Sequence, residues 1–118
     1  MTSKINKTAL LLVALTAIFM GASCKKEDKG SPGANEIWLE YKAYNPPQLV
    51  VTPGTTVIFT NKDNANHTVT STSGAFDSGV VKNGNTFSYT FNDPGTHYFY
   101  CNFHASNSAE QGAILVKQ

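Results

Sequence analysis

The sequence contains no arginine, because all nine of its basic residues are lysines. Charged residues of either sign are sparse, at 14% of the 118 residues, and the formal net charge is only +1. Proteins that bind nucleic acid usually carry a basic face rich in lysine and arginine. The composition therefore argues against a nucleic-acid partner, and the short length predicts a single domain.

Long hydrophobic runs are also missing. The uncharged run near the N-terminus, Thr8–Met20, follows Lys4 and Lys7. A membrane-spanning helix needs about 20 apolar residues, so this run is too short for one. A positively charged start followed by a short apolar stretch is typical of a secretory signal. Residues 1–23 are therefore predicted to be a signal peptide.

Cysteine is scarce, and one of the two cysteines directly follows the predicted signal. Gly21-Ala22-Ser23-Cys24 resembles the bacterial lipobox, in which the cysteine is acylated, although Gly21 stands where that motif prefers an aliphatic residue. Lipidation of Cys24 would anchor the protein to a bacterial membrane, facing the periplasm or the cell surface. The alternative is an ordinary signal peptide cleaved nearby, which leaves Cys24 as a thiol. Residues 24–35 are charged and then rich in Gly, Pro and Ser, which predicts a flexible tether.

Helical periodicity is absent from residue 36 onward. Short runs of β-branched and aromatic residues alternate instead with turns rich in Gly, Pro and Asn. This spacing predicts an all-β domain at 36–118 with about seven strands, arranged as a sandwich or a barrel. The seven runs are Ile37–Tyr41, Gln48–Thr52, Thr55–Asn61, Thr68–Thr72, Thr86–Phe91, Thr96–Cys101 and Ala113–Lys117.

The domain has a single cysteine, Cys101, and no methionine. If Cys24 is acylated, Cys101 has no disulfide partner, although an envelope compartment would permit disulfides. His104 follows three residues later and His67 precedes another predicted strand, so a sandwich could bring all three side chains to one end. A thiolate with two imidazoles suits copper, because soft sulfur stabilises Cu(I) and the nitrogens suit both oxidation states. We therefore predict one copper ion at these residues.

The setting of these residues resembles the plastocyanin/amicyanin-type blue copper proteins of the cupredoxin family. The resemblance implies a Greek-key β-sandwich, cupredoxin-like, with a type 1 copper site near one end. It also implies that His67, Cys101 and His104 are the equatorial copper ligands. The matching stretches run in family order: PQLVVTPGTTVIFTNKD at 47–63, HTVTS at 67–71, FDSG at 76–79, TFSYTF at 86–91, PGT at 94–96 and YCNFH at 100–104.

The axial position departs from the family, whose members usually have a methionine shortly after the second histidine. Aligning the sequence on Gly112 places Glu110 at that position, with Gln111 next to it. Either side chain could supply an axial oxygen, and we favour Glu110. Oxygen is a harder ligand than thioether sulfur, so it should favour Cu(II) and lower the reduction potential. The alternative is three-coordinate copper with both side chains in solvent.

Two other residues near these positions are interpreted as structural. His97 lies four residues before Cys101 on the same predicted strand, so it shares a face with Cys101. The family usually has an aromatic residue there, so the resemblance implies that His97 is a packing residue. Asp63 is interpreted as part of a turn.

The resemblance implies a one-electron carrier that is not an enzyme, and the predicted signal and lipobox place it in the cell envelope. Its partners would be redox proteins, met transiently by a monomer, and the membrane that holds the lipid. Several alternatives remain open. They are a copper-binding redox sensor or enzyme with an oxygen axial ligand, a copper buffering or delivery protein, a Cys–His hydrolase or transpeptidase, and a metal-free adhesion module.

Overall fold

The computed structural model describes residues 30–118. The predicted signal peptide, Cys24 and the first half of the predicted tether lie outside the described residues and stay predictions. Among the described residues, no helix has the length and apolar character needed to cross a membrane.

The described residues form eight strands and two single turns of 3₁₀ helix. The turns are Asn102–His104 and Ser108–Glu110. The strands are β1 (Glu36–Glu40), β2 (Ala43–Asn45), β3 (Gln48–Val51), β4 (Thr55–Asn61), β5 (Thr70–Ser71), β6 (Thr86–Phe91), β7 (Gly95–Tyr100) and β8 (Gln111–Val116).

The strands make two mixed sheets of four, in the orders β2-β1-β4-β6 and β3-β8-β7-β5. One pair in each sheet is parallel, β1 with β4 and β3 with β8, and the other pairs are antiparallel. The predicted all-β sandwich is therefore confirmed. Its topology places β7 and β8 side by side, so the chain that joins them must turn back at one end of the sandwich.

Period-two alternation explains why these runs form strands that pack face to face. In β4, Val57 and Phe59 are buried while Thr56 and Ile58 between them are exposed. Aromatic rings fill the space between the sheets, where Phe99 meets Phe59 edge to face with ring centroids 5.4 Å apart. Such edge-to-face pairs stabilise a core beyond the area they bury.

Two features differ from the predicted strands. The eighth strand is β2, which sequence patterning missed because its three residues are too few to show alternation. It forms because Tyr44 is buried between the sheets and stacks edge to face on Phe99. The strand expected at 68–72 is reduced to β5, because the chain turns immediately afterwards through a bond from the Gly74 amide to the Ser71 carbonyl.

Gly112, at the start of β8, lies directly opposite Phe99 of the neighbouring strand β7 and close to the Pro47 backbone. A Cβ atom there would lie 2.5 and 2.7 Å from ring carbons of Phe99 and 2.9 Å from the Pro47 carbonyl oxygen. Phe99 is fully buried and Pro47 presents backbone, so neither can move aside easily.

Gly112→Ala should therefore destabilise the protein by about 1–3 kcal/mol through overpacking. The free energy of unfolding from urea titration measures this loss. Gly33→Ala is a suitable control, because a Cβ atom at Gly33 meets nothing closer than 3.6 Å. Equal stability of the two variants would contradict the prediction.

Candidate metal centre

Four side chains from two segments of the chain meet at one end of the sandwich. His67 comes from the connection between β4 and β5, Cys101 follows β7, and His104 and Glu110 lie in the two 3₁₀ turns between β7 and β8. One donor atom from each residue lies within 4.8 Å of the others, so the group could hold a metal ion. The structure thus brings together His67, Cys101, His104 and Glu110, the residues that the sequence singled out.

Backbone hydrogen bonds fix the segment that carries His67. Its amide donates to the Val81 carbonyl at 3.2 Å, and the Val81 amide donates back to the His67 carbonyl at 2.8 Å. This two-bond bridge ties the histidine to a neighbouring loop without a regular strand.

The other three residues lie on one closed loop. The His104 amide donates to the Cys101 carbonyl at 3.1 Å, and the Asn107 amide donates to the His104 carbonyl at 2.8 Å. The loop is closed by the Cys101 amide, which donates to the Glu110 carbonyl at 3.3 Å. Cys101 and Glu110 are therefore adjacent although nine positions separate them in the sequence.

Thr68 couples the two ligand-bearing segments. Its hydroxyl accepts a hydrogen bond from the Asn102 amide at 2.8 Å, and its carbonyl accepts one from the buried Tyr44 hydroxyl at 2.8 Å. The residue after His67 is thereby held to the residue after Cys101. Burial raises the pKa of Tyr44 far above its usual value, so the phenol stays a neutral donor.

The four donors face one another at short range. The Cys101 sulfur lies 3.9 Å from Nδ1 of His67 and 3.8 Å from Nδ1 of His104. The Glu110 carboxylate reaches both rings, with Oε2 at 2.5 Å from Nδ1 of His67 and Oε1 at 2.7 Å from Nδ1 of His104. Both imidazoles therefore present Nδ1, not Nε2, to the cluster.

The four side chains of the cluster are almost completely buried. His67, Cys101 and Glu110 are all 0% exposed, whereas the His104 side chain is 29% exposed. The imidazole of His104 is therefore the one part of the cluster that reaches solvent.

The Glu110 carboxylate provides the test of whether a metal fits. Its Oε1 atom is buried without a hydrogen-bond partner, because the 2.7 Å approach of His104 Nδ1 does not have hydrogen-bond geometry. A buried carboxylate oxygen without a partner is costly. A cation shared with the facing nitrogen would satisfy it, and the set of one thiolate, two imidazoles and one carboxylate consists entirely of transition-metal ligands. The residues fit a metal ion.

Burial raises the pKa of the Cys101 thiol, and the Glu110 carboxylate nearby raises it further. Backbone hydrogen bonds at Thr68 and Phe103 act in the opposite direction. The sulfur therefore stays a thiol until a cation offsets the cost of its charge, because only the thiolate is a strong metal ligand.

Asp63, interpreted from the sequence only as part of a turn, also contacts the cluster. Its Oδ2 atom lies 2.8 Å from Nε2 of His67, on the side of the ring away from the cluster. This hydrogen bond to His67 lowers the pKa of Asp63. Asp63 does lie in a turn, as interpreted from the sequence, but it also contacts a cluster residue. The four-residue spacing to His67 was the only available signal.

Gln111 and His97 lie away from the cluster. Gln111 is exposed, and its amide nitrogen approaches the Ala105 carbonyl at 3.4 Å. His97 lies near the Asp93 carbonyl, 2.8 Å from Nε2, and packs against Phe91. The structure therefore favours Glu110 over Gln111 as the fourth donor.

Comparisons of structure identify the same sandwich in several proteins. A purple cupredoxin from Nitrosopumilus maritimus matches with 27% sequence identity and a TM-score of 0.63, over 70% of this chain and 98% of that one. An oxidised amicyanin variant matches with 24% identity and a TM-score of 0.65, over 75% and 87% of the two chains. Oxidised plastocyanin from Dryopteris crassirhizoma matches with 20% identity and a TM-score of 0.59, over 70% and 99%.

Sequence comparison gives the family directly. No curated protein is similar enough in sequence to indicate a relative. The family model for the cupredoxin-like domain, however, matches residues 11–116. Proteins of this family bind one copper ion. With a match over most of its length and a sandwich that carries a His, Cys, His and Glu cluster, the chain belongs to the cupredoxin-like family.

Proposed function

We propose that the protein is a one-electron carrier with a type 1 copper site formed by His67, Cys101, His104 and, as axial ligand, Glu110. The observation that carries this proposal is the convergence of the four donors around a buried, unpartnered carboxylate oxygen. The family supports copper as the ion and electron transfer as the activity.

Each donor has a separate chemical role. Copper supplies a one-electron couple between Cu(II) and Cu(I). The Cys101 sulfur is the soft ligand that tolerates both oxidation states, and the two imidazoles are ligands for either. Glu110 adds a hard anionic oxygen, which favours the higher charge of Cu(II). We therefore expect a reduction potential below that of the same site with a thioether.

Rigidity supports electron transfer over catalysis. Backbone bonds to Val81 fix His67, and the closed loop fixes Cys101 and Glu110. Because these three donors are buried and held, they can keep nearly the same positions in both oxidation states. The partly exposed His104 ring is then the route by which electrons enter and leave.

The surface beside His104 suits brief encounters with redox partners. The loop from Asn102 to Ala109 has no charged residue, and Phe103 is 52% exposed next to the histidine. Small, weakly charged contacts of this kind bind transiently. We propose that the protein acts as a monomer toward such partners.

We also propose a location in the cell envelope. A signal peptide at 1–23, an acylated Cys24 and a tether at 24–35 would place the domain at 36–118 close to a bacterial membrane. Mass spectrometry of the membrane fraction tests this, because acylation at Cys24 adds lipid mass and Cys24→Ser should release the protein.

Adding one equivalent of Cu(II) should give an intense visible absorption from charge transfer between thiolate and copper. Cys101→Ser should abolish this band, because a serine hydroxyl cannot replace the thiolate. His97→Gln is the control and should retain the full band, since His97 lies outside the cluster. Visible and EPR spectra with copper stoichiometry measure the result. A band that survives Cys101→Ser would rule out the proposed site.

Glu110→Gln should raise the reduction potential, because it removes a negative charge that favours Cu(II). Each tenfold change in the relative affinity for the two oxidation states is worth about 59 mV. Gln111→Ala, one residue away but exposed, should leave the potential unchanged. Spectroelectrochemistry of both variants measures the shift. Identical potentials in wild type, Glu110→Gln and Gln111→Ala would instead indicate three-coordinate copper.

A further inference from the structure

We propose that Asp63 is a positioning residue that keeps a proton on Nε2 of His67, so that Nδ1, the nitrogen facing Glu110, is the one left to bind the metal ion. The inference rests on the proposed function for its effect on copper. The hydrogen bond itself can be tested in the copper-free protein.

The geometry around His67 carries the proposal. The ring is completely buried, and each of its nitrogens faces a different carboxylate: Nδ1 faces Glu110 and Nε2 faces Asp63. The two carboxylates differ in burial: the Glu110 side chain is 0% exposed, whereas the Asp63 side chain is 16% exposed at the edge of the site. A neutral imidazole has one N–H and one lone pair, so the nitrogen that donates determines which nitrogen can bind a metal.

The loop around Asp63 is built to hold this carboxylate in place. The Asp63 amide donates to Oδ1 of the fully buried Asn61 at 2.7 Å, and Oδ1 of Asp63 accepts the Asn64 amide at 2.8 Å. The Asp63 carbonyl also accepts a hydrogen bond from the Asn83 side chain at 2.5 Å. Its second oxygen, Oδ2, is left for Nε2 of His67. These contacts hold the carboxylate in place without help from the cluster residues.

The second histidine of the cluster, His104, is held in place differently from His67. Its ring is partly exposed, and the polar contacts described for its side chain are at Nδ1. The two histidines are therefore supported differently: His67 by a carboxylate behind the ring, and His104 by its place in a 3₁₀ turn.

The consequence for copper follows from the charge of Asp63. A carboxylate that accepts the outer N–H makes the imidazole a more basic ligand, and loss of such a partner typically lowers metal affinity 10–100-fold. The anionic partner stabilises Cu(II) more than Cu(I). Asp63 should therefore strengthen Cu(II) binding and lower the reduction potential.

The test compares Asp63→Asn and Asp63→Ala with Asp77→Asn. Asp77 is the matched control, because the same charge is lost while its Oδ1 contacts Thr70 and the Gly79 amide, not a cluster residue. In the copper-free and Cu(I) proteins, ¹⁵N NMR should show an exchange-protected Nε2–H on His67 in wild type and Asp77→Asn. That signal should lose its protection in Asp63→Ala.

Copper affinity and potential give the second measurement. Asp63→Asn should bind Cu(II) 10–100-fold more weakly, with a potential higher by about 59 mV per tenfold loss if Cu(I) affinity is unchanged. Pulsed EPR should show an altered coupling to the outer nitrogen of one histidine only. Asp77→Asn should shift affinity less than a few-fold and leave this coupling unchanged.

The results distinguish failure of the proposed copper function from failure of the proposed role of Asp63. Absence of stoichiometric copper in the wild-type protein would overturn the proposed function, and the copper-free NMR measurement would then decide the Asp63 inference by itself. Normal copper binding, with Asp63 variants indistinguishable from Asp77→Asn in protection, coupling and potential, would overturn the Asp63 inference alone.

Discussion

The structure depends on a carboxylate buried at one end of a small sandwich. Glu110 is 0% exposed, yet one of its oxygens has no hydrogen-bond partner. Removing an ion from water costs several kcal/mol even after relaxation, and only nearby opposite charge or good hydrogen bonds offset that cost. The facing imidazoles of His67 and His104 supply part of the compensation, and a cation among the four donors would supply the rest. Metal binding and the burial of Glu110 are therefore coupled.

The closed loop and the strand that follows it hold Glu110 in its buried position. The loop between β7 and β8 is closed by the bond from the Cys101 amide to the Glu110 carbonyl, and β8 begins at once afterwards. Gly112, two residues after Glu110, leaves no room for a side chain against Phe99 and the Pro47 carbonyl, so the start of β8 packs tightly. The core thus holds the carboxylate in place where flexible chain would let it reach solvent.

Sequence reasoning predicted most of the fold because alternation and turn residues are local signals. It missed β2, whose only support is the long-range packing of Tyr44. It singled out the residues of the cluster because Cys101 and His104 are close in sequence and resemble a known pattern. The choice between Glu110 and Gln111 depended on burial, which neighbouring positions in a sequence do not reveal. Asp63 was missed as a contact of His67 because carboxylates in turns are common and which one faces a ring depends on the folded loop.

The arrangement of charge favours one oxidation state. A Cys101 thiolate and a Glu110 carboxylate together carry two negative charges, which a divalent ion balances and a monovalent ion does not. Asp63 adds a further negative charge behind His67. Because the donors are buried except at His104, solvent can screen little of the charge imbalance left by Cu(I). A carrier with these ligands would therefore hold its electron weakly and pass it readily to partners of higher potential through the exposed edge of His104.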